Sequence, residues 1–330
     1  MTNLGGIVDL AAMAWIGFTI AWAAVCAISY PLIRLKLIRL RASHRAMAIA
    51  TWAAMPPVAG VLLTGICFLP SSLSLAGLSA DHCLDHGDGH THICLNHGPE
   101  SSGLTAAGIA IATLVPLTAL LARELREYTR LRRLLSMLEL TSRKCRNRDI
   151  RVLDTPIPLA FAAFLIRPRV FISSALITSL PQQLLDVVIE HERAHVRRRD
   201  RFIRAIVSLL SGFYTPRIRT RLIEDLSLAC EQACDEEAAA RVGDRLRVAS
   251  AILAVERMRQ ELPALPSLAG SSFGGSNIAL RVFSLVQGAV RPPASGRHWI
   301  WVGVALAGLT LLASDTIHHA AETILTPFTR

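Results

Sequence analysis

The five residues from His191 to His195 have the pattern H-E-x-x-H, in a segment (residues 181–210) whose apolar residues recur at helical spacing. Residues four apart on a helix face the same side, so both imidazoles can bind one zinc ion. Glu192 lies between them, where it can take a proton from a zinc-bound water. Because a five-residue motif can also occur by chance, the surrounding sequence must support this hypothesis.

A third ligand is expected from a second helix, since catalytic zinc usually has three protein ligands and one water. The stretch 227–240 is rich in alanine and lacks glycine and proline, which predicts a helix, and Gly243 is expected to end it. On it, Glu231 and Asp235 are four residues apart, so Glu231 can bind the metal while Asp235 orients a ligating imidazole. Two alternatives stay open: a solvated acidic face, or a thiolate ligand from Cys230 or Cys234.

The composition predicts a membrane protein. Of the 330 residues, 52% are hydrophobic, and the mean hydropathy is +0.42. The predicted transmembrane helices cover residues 4–30, 46–69, 104–122 and 299–314. The first is too long for the apolar region of a signal peptide and has no basic residue before it, so we expect it to be retained.

The basic residues predict the orientation of these helices. The segment 70–103 has no Lys or Arg, whereas residues 123–148 are densely basic, so we place the former outside and the latter in the cytoplasm. Both chain ends are then outside. The predicted division is a membrane region at 1–122, a cytoplasmic domain at 123–297, and a last span with a short outer tail at 298–330. An excess of Lys and Arg on the cytoplasmic side also explains the net charge of +10 better than direct nucleic-acid binding does.

The predicted fold is mostly α, with a small β-sheet in the cytoplasmic domain. Short strands are expected at 150–153, 159–166 and 169–173, and the prolines around them favour sheet edges. Such an edge in front of the H-E-x-x-H helix could hold an extended peptide, or the sheet could simply support the helix.

The outer segment has a second concentration of metal-binding residue types. Residues 81–97 contain five of the chain's eleven histidines and two cysteines. The candidate ligands there are His82, Cys83, His86, His90, His92, Cys94 and His97. These side chains suit zinc or copper, so we expect a second transition-metal site. The alternative is a disulfide between Cys83 and Cys94 among solvated histidines. His318 and His319 of the tail are possible additional ligands.

The order of these features resembles the membrane metallopeptidases of the BlaR/MecR antirepressor type. The resemblance rests on three spans, H-E-x-x-H, the Arg197–Asp200 run R-R-R-D, the Glu231-to-Asp235 motif and a final span. It implies a gluzincin-like protease in the bacterial inner membrane, with Zn²⁺ bound by His191, His195 and Glu231. It also implies Glu192 as general base and a cytoplasmic DNA-binding repressor as substrate. No S-x-x-K or K-T-G motif follows the last span, so we do not expect β-lactam sensing through an outer domain.

Three functions fit these observations. The first is a signal-responsive zinc endopeptidase, with transition metal at the outer segment as the candidate trigger. The second is a housekeeping protease for damaged membrane proteins, which a neighbouring repressor gene would argue against. The third is a non-catalytic metal-sensing receptor, which zinc occupancy without peptidase activity would favour. A homodimer is compatible with all three.

Overall fold

The structure, a computed structural model, describes residues 4–78, 103–145, 149–163, 169–261, 275–288 and 314–329. The described residues are mostly helical and include one small sheet. The fold class expected from the sequence is therefore confirmed in its helical character and its sheet. The fourth predicted span, at 299–314, lies almost wholly outside the described residues.

Two long helices form the N-terminal part of the protein. They are α1 (Leu4–Leu37) and α2 (Ala42–Cys67), and each is long and apolar enough to cross a membrane. The tight turn between them folds α2 back along α1. At Gly60 a Cβ atom would clash with Thr19 of α1, so glycine permits this close approach. The first two predicted spans are thus helices, and α2 continues through Pro56 and Pro57.

The next helices are α3 (Leu69–Leu75) and α4 (Gly103–Thr141). The sequence predicted a span at 104–122 and a helix over 121–140 running on from it, and the structure has one helix of 39 residues over both segments. The described side chains of its second half include Leu131, Leu135 and Leu138, which pack against the sheet.

Four strands form the sheet. They are β1 (Arg143–Cys145), β2 (Ile150–Leu153), β3 (Ala160–Ala163) and β4 (Arg169–Ser173), in the order β1-β2-β4-β3. The inner pair β2 and β4 is parallel, and each edge strand is antiparallel to its neighbour. Strand β1 was not predicted, and only β3 of the predicted strands lies at an edge.

Six helices that follow the sheet in the chain pack against it and against each other. They are α5 (Ser174–Ser179), α6 (Gln182–Arg198), α7 (Asp200–Leu210), α8 (Pro216–Val242), α9 (Arg245–Gln260) and α10 (Gly275–Gln287). Leu185, Val188 and Ile189 of α6 belong to a core that includes the sheet and α9. The segment 181–210, whose apolar residues recur at helical spacing, does not form one helix. Arg199 has a left-handed backbone (φ 55°) that separates α6 from α7.

Helix α8 connects the α1–α2 pair to the core that contains the sheet. Its first half, with Leu222 and Leu226, packs against α1 and α2, and its second half packs against α6 and α9. Tyr30 and Arg34 of α1 both donate hydrogen bonds to Asp225 of α8, at 2.9 Å and 2.6–2.8 Å. Gly243 ends α8 in the left-handed conformation (φ 77°), as the sequence predicted.

The tail, which was expected to be a short outer segment, is a helix, α11 (Ser314–Thr329). Its Ala321 packs with Leu10 of α1 and Cys67 of α2. Cys67 is at the opposite end of α2 from Arg45, which contacts α8. A rise of 1.5 Å per residue separates these two ends by about 33 Å, close to the thickness of a bilayer core. Helices α8 and α11 therefore lie at opposite ends of the α1–α2 pair.

Candidate metal centre

Helix α6 holds the H-E-x-x-H residues in its last two turns. The imidazole rings of His191 and His195 lie with their centroids 4.9 Å apart, nearly perpendicular to each other. His191 and Glu192 are buried. The helix places the rings on one face because residues four apart differ by only about 40° around its axis.

Glu231 of α8 completes the group. Its carboxylate oxygens lie 3.4 Å from Nε2 of His191 and 3.5 Å from Nε2 of His195. Bonds of 2.0–2.2 Å to one tetrahedral zinc ion separate the ligand atoms by about 3.3 Å, so the three donors are spaced as zinc ligands are. Among the residues that the structure describes, His191 Nε2 and Glu231 Oε2 are buried without a hydrogen-bond partner. A bound cation would satisfy both atoms.

Each imidazole is oriented by a carboxylate on its other nitrogen. Nδ1 of His191 lies 2.9 Å from Oδ1 of Asp235, and Nδ1 of His195 lies 2.9 Å from Oδ2 of Asp200. An ionised carboxylate only accepts hydrogen bonds, so each Nδ1 donates and each Nε2 keeps its lone pair for a metal. The sequence predicted this function for Asp235 and assigned none to Asp200.

Two arginines, neither predicted from the sequence, bind the carboxylates of this centre. Arg281 of α10 donates to both oxygens of Asp235, at 2.7 Å and 2.8 Å. It also lies 3.4 Å from Glu231, and Arg204 of α7 donates to the other oxygen of Glu231 at 3.0 Å. The arginines fix both carboxylates of α8 in place.

The electrostatics of the centre favour a cation. Burial raises the pKa of Glu231, but the two imidazoles beside it and the charge of Arg281 outweigh burial and hold this pKa well below its usual value. Burial also lowers the pKa of His191, but the neighbouring Asp235 and Glu231 give a net increase. Carboxylates that stay ionised create a negative potential at the Nε2 atoms, which attracts a cation, either a proton or a metal ion.

The two cysteines of α8 do not have the character of thiolate ligands. Burial raises the pKa of Cys230 to about 11 and raises that of Cys234 further. Sγ of Cys234 lies 3.3 Å from Nδ1 of His195 and 3.2 Å from Asp200. Cys234 therefore contacts Nδ1 of His195, on the opposite side of the ring from Glu231. As a neutral thiol it packs behind the metal donors.

The outer candidate site lies outside the described residues. All seven predicted ligands, and the possible Cys83–Cys94 disulfide, fall within residues 79–102. His318 and His319, the possible additional ligands, are in α11.

A family model described as BlaR1 peptidase M56 matches residues 102–285, more than half of the chain. The matched region runs from the start of α4 to α10 and includes the metal donors, Asp200, Asp235 and Arg281. Comparisons with curated proteins and with solved structures find no match.

Proposed function

Because this chain belongs to the BlaR1 peptidase M56 family, a family of membrane-associated peptidases, we propose that it is a zinc endopeptidase with His191, His195 and Glu231 as metal ligands. The observation that supports this most strongly is the pair of buried atoms His191 Nε2 and Glu231 Oε2, which lie 3.4 Å apart and make no hydrogen bond to the described residues. Neither a core packing role nor an acidic surface accounts for that arrangement.

The residues around the centre have different roles in the proposed reaction. Zinc held by His191, His195 and Glu231 would polarise a peptide carbonyl and would make a water molecule nucleophilic near neutral pH. Asp235 and Asp200 hold the two imidazoles in the tautomer that presents Nε2. The carboxylate of Glu192 takes a proton from the water and delivers it to the leaving amine.

The edge strand β3 is the proposed binding place for the substrate. Among the described residues it pairs with β4 on one side only, and it contacts helix α6. An extended peptide can add to its open side through main-chain hydrogen bonds and so pass in front of α6. We infer an unfolded segment of a protein, rather than a folded surface, as the substrate.

The link between α2 and the metal centre supports a signal-responsive enzyme. Arg45, buried in α2, donates to Gln232, the neighbour of Glu231 in α8. Gln232 in turn donates to the Leu280 carbonyl, at 3.0 Å, next to Arg281 in α10. A shift of α2 would therefore reach both the ligand Glu231 and the arginine that holds it.

We propose that the metal centre faces the cytoplasm of a bacterium, that both chain ends lie outside, and that the substrate is a cytoplasmic repressor. Transition metal at the outer segment is the proposed trigger. The supporting observations are the basic residues of 123–148 and the position of α8 at the arginine-bearing end of α1, marked by the Arg34–Asp225 pair.

The zinc dependence can be tested on the purified full-length chain in detergent, with an unstructured peptide as substrate. Removal of metal with a chelator should abolish cleavage, and stoichiometric Zn²⁺ should restore it. Cleavage that persists in the chelated, metal-free protein would contradict the proposal.

The regulatory role needs a test in cells. The chain and its Glu192→Gln variant are expressed with the proteins of neighbouring genes, with and without added zinc or copper. We expect cleavage of one defined protein by the unaltered chain only, and more of it with metal. Cleavage of many misfolded membrane proteins, independent of metal, would instead indicate a housekeeping protease.

A further inference from the structure

The two arginines of the metal centre differ in how much of their hydrogen-bonding capacity is used. The side chain of Arg281 is 5% exposed and donates to both oxygens of Asp235. The side chain of Arg204 is 34% exposed and donates from one Nη atom to Oε1 of Glu231, at 3.0 Å. A guanidinium carries five N–H donors. Arg204 therefore keeps donors that no oxygen atom of the described residues binds.

Arg204 is also the most accessible charged group of the centre. The side chains of the three metal donors, His191, His195 and Glu231, are only 10–14% exposed. Glu192 is buried as well. Because Arg204 contacts the carboxylate of Glu231 and also meets solvent, it lies between the buried donors and the surface from which a peptide must approach.

Helix α7 holds Arg204 in place from both sides. Asp200, one turn before it, lies 2.9 Å from Nδ1 of His195. Ser208, one turn after it, donates a hydrogen bond to Glu124 of α4, at 2.9 Å. Residues four apart share one face of a helix, so the same face of α7 carries both contacts and the guanidinium between them. The cation is therefore in position before a substrate binds.

Hydrolysis of a peptide at this centre creates negative charge on the carbonyl oxygen. When the oxygen of water bonds to the carbonyl carbon, one electron pair of the C=O bond moves to its oxygen and the proton of water moves to Glu192. The C–N bond then breaks, and the amine leaves with that proton. A fixed cation beside the carbonyl oxygen stabilises the oxyanion more than the neutral carbonyl, and this difference lowers the barrier.

We propose that Arg204 is a catalytic residue that donates a hydrogen bond to this oxyanion while it holds Glu231. The inference rests on the peptidase activity proposed above and adds the group that stabilises the charged intermediate. An arginine that only held Glu231 would change the affinity for metal. An arginine that binds the oxyanion also changes the affinity for a tetrahedral anion when the metal site is full.

The test compares two ligands of the full-length chain in detergent, loaded with saturating zinc. One is a phosphinic peptide, whose tetrahedral anionic phosphorus group imitates the oxyanion, and the other is the corresponding ordinary peptide. Calorimetry measures both affinities in a Glu192→Gln background, so that the peptide stays intact. We expect Arg204→Met to weaken binding of the phosphinic peptide about 100-fold and binding of the ordinary peptide less than about threefold.

The matched control is Arg245→Met, an exposed arginine at the start of α9, which should change neither affinity. Zinc content is measured in the same samples. With Glu192 intact, Arg204→Met should lower kcat by about the same 100-fold at nearly unchanged KM. Arg204→Lys keeps the positive charge and should restore part of the loss.

Two results would overturn the proposal. Unchanged affinity for the phosphinic peptide in zinc-loaded Arg204→Met would mean that Arg204 only holds Glu231. An equal loss for both ligands would mean that it only binds the peptide. Failure of the unaltered, zinc-loaded chain to cleave any peptide would instead contradict the proposed function, and the calorimetric comparison would still decide whether Arg204 binds the tetrahedral anion.

Discussion

The two ends of the α1–α2 pair present the same donor types, two imidazoles and one glutamate, in different surroundings. At the end next to α8, called the inner end here, each imidazole has a carboxylate beside its Nδ1, Asp235 or Asp200. At the end next to α11, called the outer end, His318 lies near His319 and Glu322 and has a backbone carbonyl in that place. A carboxylate makes the ring a stronger donor and adds negative charge to the centre, whereas a carbonyl only fixes the orientation of the ring.

The second difference is the charge around the ligand glutamate. Two arginines, Arg204 and Arg281, bind Glu231 and its neighbour Asp235, and Glu192 is buried beside the imidazoles. The comparison teaches that two imidazoles beside one glutamate do not by themselves make a metal centre. The distinction lies in the base and in the charged residues that hold the donors.

The largest effect should come from removing a donor at the inner end. Glu231→Gln should release the metal and reduce peptide cleavage at least about 1000-fold, because zinc supplies several kcal/mol of barrier lowering. Metal analysis and a peptide assay measure both effects. Glu236→Gln, on the same helix and outside the donor set, is the matched control. Full metal content in the Glu231 variant would remove this residue from the ligand set.

Replacing the buried Arg281 tests whether the carboxylates of Asp235 and Glu231 depend on the arginine beside them. Arg281→Met leaves Asp235 without its bidentate partner, and breaking a buried pair in this way costs about 3–5 kcal/mol. Denaturant unfolding of the metal-free protein in detergent measures the loss. Combining Arg281→Met with Asp235→Asn should recover part of it, and strictly additive losses would argue against the pair.

Replacing Asp200 tests the carboxylate beside Nδ1 of His195, where His318 has a backbone carbonyl instead. Asp200→Asn should weaken zinc binding about 10- to 100-fold, the usual cost of losing a group that orients a ligating imidazole. Asp235→Asn should weaken it to a similar extent through His191. Affinity is measured by competition with a chelating dye. If only the Asp235 variant binds zinc less tightly, the Asp200–His195 hydrogen bond has no role in metal binding.

An exposed ion pair near the same helices should matter least. Arg197 of α6 pairs with Glu237 of α8, with both side chains about 30% exposed. Water screens such a pair, so Arg197→Ala should lower stability by less than about 1 kcal/mol. Cleavage should stay within about twofold of the unaltered chain. A loss comparable to that of Arg281→Met would show that burial does not decide which arginines support the centre.

The sequence predicted the local parts of this architecture. His191, Glu192 and His195 are related by helical spacing within α6, and Glu231 and Asp235 by the same spacing within α8, so periodicity brings each set together. Gly243 predicted the end of α8 because glycine adopts the left-handed conformation without strain.

The remaining parts depend on contacts between distant segments or on unusual backbone. Arg281 reaches Asp235 from a helix 46 residues later in the chain, and no spacing rule indicates such a pair. Asp200 follows the left-handed Arg199, a conformation for which arginine gives no signal. The tail gave too short an amphipathic pattern to predict that α11 would pack against α1 and α2.

The central claim is that Glu192 acts as the base at a metal held by His191, His195 and Glu231. The most direct measurement compares zinc content and peptide cleavage in the same preparations of the unaltered chain and of Glu192→Gln. We predict equal zinc content and a loss of cleavage of about 100-fold or more, because a positioned general base contributes 10² to 10⁴. Cleavage at the unaltered rate with zinc in place would contradict the account.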